Sequence, residues 1–131
     1  MCVALVLDDD PTQQLIVSKL LKTMGLNAIV ASDGIEALEQ VQSSCLVVVI
    51  LDIIMPRMNG YEVCLKLKSD EKTQKLPVVM YSGQEKEFDL NKGSNLCADA
   101  YLSKPCHPQE LIDTVQLLLE NSLHQKALLT H

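Results

Sequence analysis

The chain has 131 residues, 47% hydrophobic and 21% charged, which is the length of one ordinary domain with a real core and too apolar for a disordered segment. Its net charge of −6 argues against direct nucleic-acid binding, which needs a basic stripe, and no apolar run is long enough to cross a bilayer. Protein partners, no membrane contact and a cytoplasmic location are the expectation.

The opening MCVALVLDDD has no basic region and meets three acids at once, unlike a signal or transit peptide. Val3 to Leu7 reads as a first strand. Asp10 then caps a helix from Pro11 to about Met24, with Gln13 placed as a capping-box partner and Ile16, Leu20 and Met24 as the buried stripe. Gly25 stops this helix, and Leu26 to Ala31 forms a second strand. Asp33-Gly34 opens a second helix carrying Ile35, Leu38 and Val41 at helical spacing.

LVVVIL, from Leu46 to Leu51, is too short and too β-branched for a surface helix and reads as a buried central strand. It ends in one carboxylate, Asp52. A charge there is costly unless the strand opens to water, which in open α/β sheets happens at the carboxyl ends of strands, where ligands bind. Pro56, Asn59 and Gly60 turn the chain into a third helix ending near Ser69, with Val63, Leu65 and Leu67 as apolar anchors. After a polar loop, Pro77 leads into a fourth strand ending near Tyr81. Glu85 to Lys92 forms a short fourth helix with only Phe88 and Leu90 as anchors. Ala100 to Ser103 is a fifth strand. Pro108 starts a final helix with an apolar face of Leu111, Ile112, Val115, Leu118 and Leu119. Residues 1–123 would then form the domain and residues 124–131 a tail with no room for an effector domain.

Five consecutive βα units imply one parallel sheet with helices on both faces, an α/β, flavodoxin-like, doubly wound three-layer sandwich. Its simplest strand order is 2-1-3-4-5. A parallel sheet brings the ends of strands 1, 3, 4 and 5 to one edge, gathering Asp8, Asp9 and Asp10 with Asp52, Ser82 and Lys104. Crowded carboxylates raise each other's pKa unless a cation neutralises them, and oxygen-only ligands favour Mg2+ or Mn2+. These groups suit phosphoryl transfer onto Asp52 as nucleophile: the metal and Lys104 neutralise phosphoryl oxygens, and Ser82 donates a hydrogen bond. Asp10 is assigned to the helix cap.

VLDDDP, LDIIMPRMNG, PVVMYSG and ADAYLSKP, in this order and at these spacings, resemble the receiver domain of two-component response regulators, in its single-domain, CheY-like form. The resemblance runs from Val3 to about Leu119. It implies phosphoryl transfer from a phosphohistidine of a sensor histidine kinase or histidine phosphotransfer protein to Asp52. Asp9, Asp52 and the Ile54 carbonyl would bind the metal, assisted by Asp8. Ser82 and Tyr101 would be the switch residues, read out by a downstream target protein or a phosphorylation-dependent homodimer. A cis bond before Pro105 would aim Lys104 inward. Such a protein is no enzyme beyond its own phosphorylation and dephosphorylation. Ser82 stands where Thr is more frequent, Asn59 where Asp is common, Cys106 where an aromatic residue is usual and Cys97 where Gly is usual. Ile54 puts an apolar side chain near the site, which predicts slow self-dephosphorylation.

Other classes fit less well. A phosphatase using an aspartyl nucleophile would want an acid at Ile54, and a flavin carrier would want a phosphate loop and stacking aromatics. A phosphorylation-independent receiver-like interaction module is the remaining alternative. Cys2, Cys45, Cys64, Cys97 and Cys106 contain no CxxC pair and read as reduced, mostly buried thiols, with Cys106 beside the site. His107 and His124 read as surface residues.

Overall fold

The computed structural model describes residues 3–43, 45–53, 58, 60–82, 98–104 and 106–129, without the side chains of residue 43 and residues 122–129. Five strands, β1 (Val3–Leu7), β2 (Asn27–Ala31), β3 (Leu46–Leu51), β4 (Val78–Ser82) and β5 (Ala100–Ser103), form a parallel sheet in the order β2-β1-β3-β4-β5. The described helices are α1 (Pro11–Thr23), α2 (Gly34–Ser43), α3 (Gly60–Ser69) and α4 (Pro108–Leu129). The short helix expected over Glu85 to Lys92 lies outside the described residues.

Strand side chains alternate between faces, so each inner strand feeds two cores. Leu5, Leu7, Val49, Leu51, Val78 and Met80 join Ala37 of α2 and Val63, Cys64 and Leu67 of α3 on one face. Ala4, Val6, Val48, Ile50, Val79 and Tyr81 join Val17 and Leu21 of α1 and Leu111 and Val115 of α4 on the other. This is the expected three-layer α/β sandwich. Each fully buried aliphatic side chain contributes about 1.5–3 kcal/mol of transfer free energy, which outweighs the slight differences in helix propensity along these segments.

Several phase readings change. In α1 the buried residues are Val17 and Leu21, while Ile16 is exposed. Leu15, Ile16 and Val17 are adjacent apolar residues, so spacing alone leaves the buried one ambiguous. In α3, Leu65 faces out and Cys64 is buried, and in α2, Ile35 is exposed. Asp10 does cap α1, accepting from Thr12 N. Its own N–H, however, donates to Asp8 Oδ1 and not to Gln13, so the expected capping box is replaced by a turn that ties the cap to the first acid. The last helix continues to Leu129, through most of the stretch expected to be a tail. Cys64 is disulfide-bonded, which corrects the reading of five reduced thiols; Cys45 and Cys106 are in no disulfide. Among the described residues, no helix is long and apolar enough to cross a membrane.

Register brings the acids together. Leu7 is paired with both Ala31 and Leu51, so the residues that follow, Asp8 and Asp52, leave neighbouring strands side by side. That alignment depends on a slip at the other end of the same pairing, where Val3 matches Leu46 but Ala4 matches Val48. The extra residue, Val47, moves β3 by one position, and a one-residue shift changes which side chains share a face.

Candidate functional site

The main chain fixes the acids first. Asp52 N donates to Leu7 O at 2.9 Å and Asp8 N donates to Ala31 O at 3.1 Å, so both acids continue the sheet ladder as their side chains leave it. Gln14 of α1 adds a strap across this edge. Its Nε2 donates to Asp8 O at 2.6 Å and lies within reach of Ser32 Oγ at 3.2 Å and Ala31 O at 3.4 Å. Beneath Asp52, α3 begins at Gly60, whose N–H donates to Ile53 O. A Cβ on Gly60 would collide with the Asp52 carbonyl oxygen, so only glycine lets the helix start this close to the site.

Lys104 completes the edge. It follows β5, its N–H donates to Ser82 O at 2.7 Å, and its Nζ reaches Asp8 Oδ2 at 2.6 Å and Asp52 Oδ2 at 3.2 Å. The side chains of Lys104, Asp8 and Asp52 are 15%, 6% and 13% exposed, so solvent screens these pairs far less than surface ion pairs. Burial alone would lower the Lys104 pKa, but the Asp8 hydrogen bond and the Asp52 and Asp8 charges outweigh it and hold the ammonium above its ordinary value. Ser82 is buried at the end of β4, and Lys104 Nζ also lies over the Tyr81 ring.

Asp8, Asp9 and Asp52 each offer a carboxylate oxygen, and these oxygens lie within 4.8 Å of one another. An oxygen-only set of this size fits a hard divalent cation such as Mg2+ or Mn2+. Of the residues singled out in the sequence, Asp8, Asp9, Asp52, Ser82 and Lys104 meet at this edge. Tyr101 stands apart on β5, half-buried against the α2–α3 core, with its hydroxyl accepting from Ala98 N. Ile54, Pro105, Asn59 and Cys97 lie outside the described residues, so the carbonyl ligand and the cis bond do too. His107 is exposed and accepts from Gln109 N at the start of α4; the His124 side chain is outside the described set. Sequence reading missed Gln14, Tyr81 and the close approach at Gly60. Only Gly60 left a local signal, as a glycine directly before a helical pattern.

The chemistry available here is that of a half-buried carboxylate, Asp52, with an ammonium and two further acids around it. The model for the response regulator receiver domain family matches residues 4–116. Among curated proteins, Protein PilG of Pseudomonas aeruginosa is 34% identical over 112 residues, covering 86% of this chain and 83% of PilG. Transcriptional regulatory protein CpxR of Escherichia coli is 36% identical over 118 residues, covering 90% of this chain and 49% of CpxR; against such regulators the chain spans about half their length. Among solved structures, the chemotaxis response regulator CheY4 of Vibrio cholerae superposes with a TM-score of 0.80 at 29% identity, covering 90% of this chain and 98% of that one. The response regulator TrrA of Thermotoga maritima, in complex with Mg2+-BeF, gives 0.81 at 29% identity, covering 90% and 99%.

Proposed function

The chain belongs to the response regulator receiver domain family, and on that premise we propose that it accepts a phosphoryl group from a phosphohistidine onto Asp52. The reaction requires Mg2+ or Mn2+ and changes which protein the chain binds. The observation that supports this best is the single ammonium of Lys104 engaging Asp8 and Asp52 together in a shielded edge of the sheet.

An Asp52 carboxylate oxygen attacks phosphorus as the N–P bond of the phosphohistidine breaks, and the imidazole departs with the bonding pair. Lys104, held charged by its surroundings, transfers its attraction from Asp52 to the phosphoryl oxygens as negative charge moves onto them. The Ser82 hydroxyl donates to one of those oxygens. Asp8, Asp9, Asp52 and the Ile54 carbonyl would hold the divalent cation, which would supply further neutralisation of the phosphoryl charge. Ser82 and Tyr101 carry the change outward: as the hydroxyl engages the phosphoryl group, the half-buried Tyr101 ring alters its burial and reshapes the face around β5. The donor is a sensor histidine kinase or a histidine phosphotransfer protein, and the reader is a target protein or a second copy of the chain. The protein is cytoplasmic and acts on nothing but its own acylphosphate.

Incubation with acetyl phosphate and Mg2+ tests this. Intact mass should rise by about 80 Da in the wild type and stay unchanged in Asp52→Asn. A wild-type protein that stays unmodified under forcing conditions would leave a phosphorylation-independent interaction module as the correct reading.

A further inference from the structure

We propose that Tyr81 is a positioning residue for Lys104, its ring forming the seat on which the ammonium rests between the two carboxylates. The inference rests on the phosphoryl-transfer reading and deepens it by naming what places that reading's cation. Lys104 Nζ lies 5.3 Å from the centroid of the Tyr81 ring, within the roughly 6 Å over which an aromatic face attracts a cation. Tyr81 is only 8% exposed, so water does little to weaken that attraction.

Three strands therefore hold one ammonium: β1 through Asp8, β3 through Asp52 and β4 through the Tyr81 ring. Lysine has a long, flexible stem, and two carboxylates at 2.6 and 3.2 Å fix its head from the side of the acids alone. The ring supplies a third contact that needs no lone pair, so it does not compete with a phosphoryl group for the ammonium protons. Leucine at this position would satisfy the core but offer no attraction. Burial, together with the Cys106 thiol beside it, holds the phenol above its ordinary pKa of 10.0, against the opposing pull of Lys104, so the ring meets the ammonium uncharged. Strand alternation makes the arrangement economical. Tyr81 belongs to the α1–α4 core, and the next residue, Ser82, ends the strand at the site, so β4 contributes a ring and a hydroxyl from consecutive positions. An ammonium already seated needs little reorganisation when charge develops on the phosphoryl oxygens.

The test uses the full chain and four variants: Tyr81→Phe, Tyr81→Leu, Lys104→Met and the Lys104→Met/Tyr81→Leu double. Labelling by acetyl phosphate with Mg2+ is followed by intact mass, and the Lys104 ε-methylene protons by NMR. The wild type should show those protons displaced upfield by the ring; the displacement persists in Tyr81→Phe and disappears in Tyr81→Leu. Tyr81→Leu should label about tenfold more slowly, and Tyr81→Phe within about twofold of wild type. In the Lys104→Met background, the leucine should add less than about twofold, because a seat has no effect without its occupant. An equal slowing in both backgrounds, or undisplaced Lys104 protons in the wild type, overturns the proposal. The wild-type spectrum decides the matter even if Tyr81→Leu does not fold. Displaced protons in a protein that takes no label would uphold the seat and overturn the phosphoryl-transfer reading instead.

Discussion

Lys68 and Lys104 each bring an ammonium to an aspartate Oδ2, at 2.9 and 2.6 Å, on opposite edges of the same sheet. Lys68 also donates to the carbonyls of Gln74 and Leu76, and its partner Asp99 accepts from Val78 N as well. That is a clasp: fixed backbone groups use up the cation and tie α3 to the starts of β4 and β5. Lys104 is shared between two carboxylates and an aromatic face, all of them side chains. The same ion-pair chemistry serves fixation where its partners are backbone, and serves exchange where its partners are side chains that can pass the cation to an incoming anion.

Exchanging each lysine for methionine breaks the comparison most sharply. Lys104→Met should slow labelling by acetyl phosphate about 100-fold, the usual cost of losing a group aimed at developing charge. Lys68→Met should leave labelling within about twofold and lower stability by about 1 kcal/mol, a modest figure because Asp99 is well exposed. Denaturant titration and labelling on the same preparations check both, and a Lys68→Met protein that labels as slowly as Lys104→Met would end the distinction. Gly60→Ala should fall between the two classes. Its new Cβ meets the Asp52 carbonyl oxygen, so it should cost about 1–3 kcal/mol and also slow labelling, because the backbone that must yield carries the phosphoacceptor.

The exchanging edge should also respond to a divalent cation, and the clasp should not. With Mg2+ at about 100 times its dissociation constant, the wild type should gain about 2.7 kcal/mol. Asp9→Asn should lose most of that gain and Asp99→Asn none of it, as thermal melts with and without Mg2+ would show.

The smallest effect is alkaline. Tyr81 is raised above 10.0 by burial and by Cys106, and Lys104 is raised above 10.5 because Asp8 and Asp52 outweigh its burial. In both cases the folded protein holds its proton more tightly than the unfolded chain. Their contribution is therefore complete below those ordinary values and fades as pH rises through the higher folded ones. Urea titrations in metal-free buffer should show stability falling above pH 10.0, and less steeply in Tyr81→Phe. An identical slope in that variant would show the phenol to be uninvolved.

Asp8, Asp52, Ser82 and Lys104 were legible in the sequence because each stands where an apolar strand gives way to a polar residue, and parallel strands must bring such ends together. The single parallel sheet was legible because alternating units leave few ways to connect, while its strand order rested in part on the resemblance to receiver domains. Helix phase was less so: Ile16 and Val17, or Cys64 and Leu65, are adjacent apolar residues, and only the sheet beneath decides which is buried. The clasp was hidden because Lys68 and Asp99 are 31 residues apart and each reads locally as a surface charge. Tyr81 was hidden because an aromatic residue inside a strand is ordinary core until a cation is found over it. The Asp10 N–H was assigned to a generic capping box, and its actual acceptor, Asp8, belongs to the site.

The slip that places Val47 opposite no partner lies about four residues, roughly 13 Å, from the acids it brings into line. Closing that slip with Val47 kept in the ladder would act as a vernier, setting Asp8 beside Leu51 while leaving every group at the reactive rim chemically intact. Spacing upstream of a buried strand would then govern reactivity as firmly as the identity of the reacting side chains.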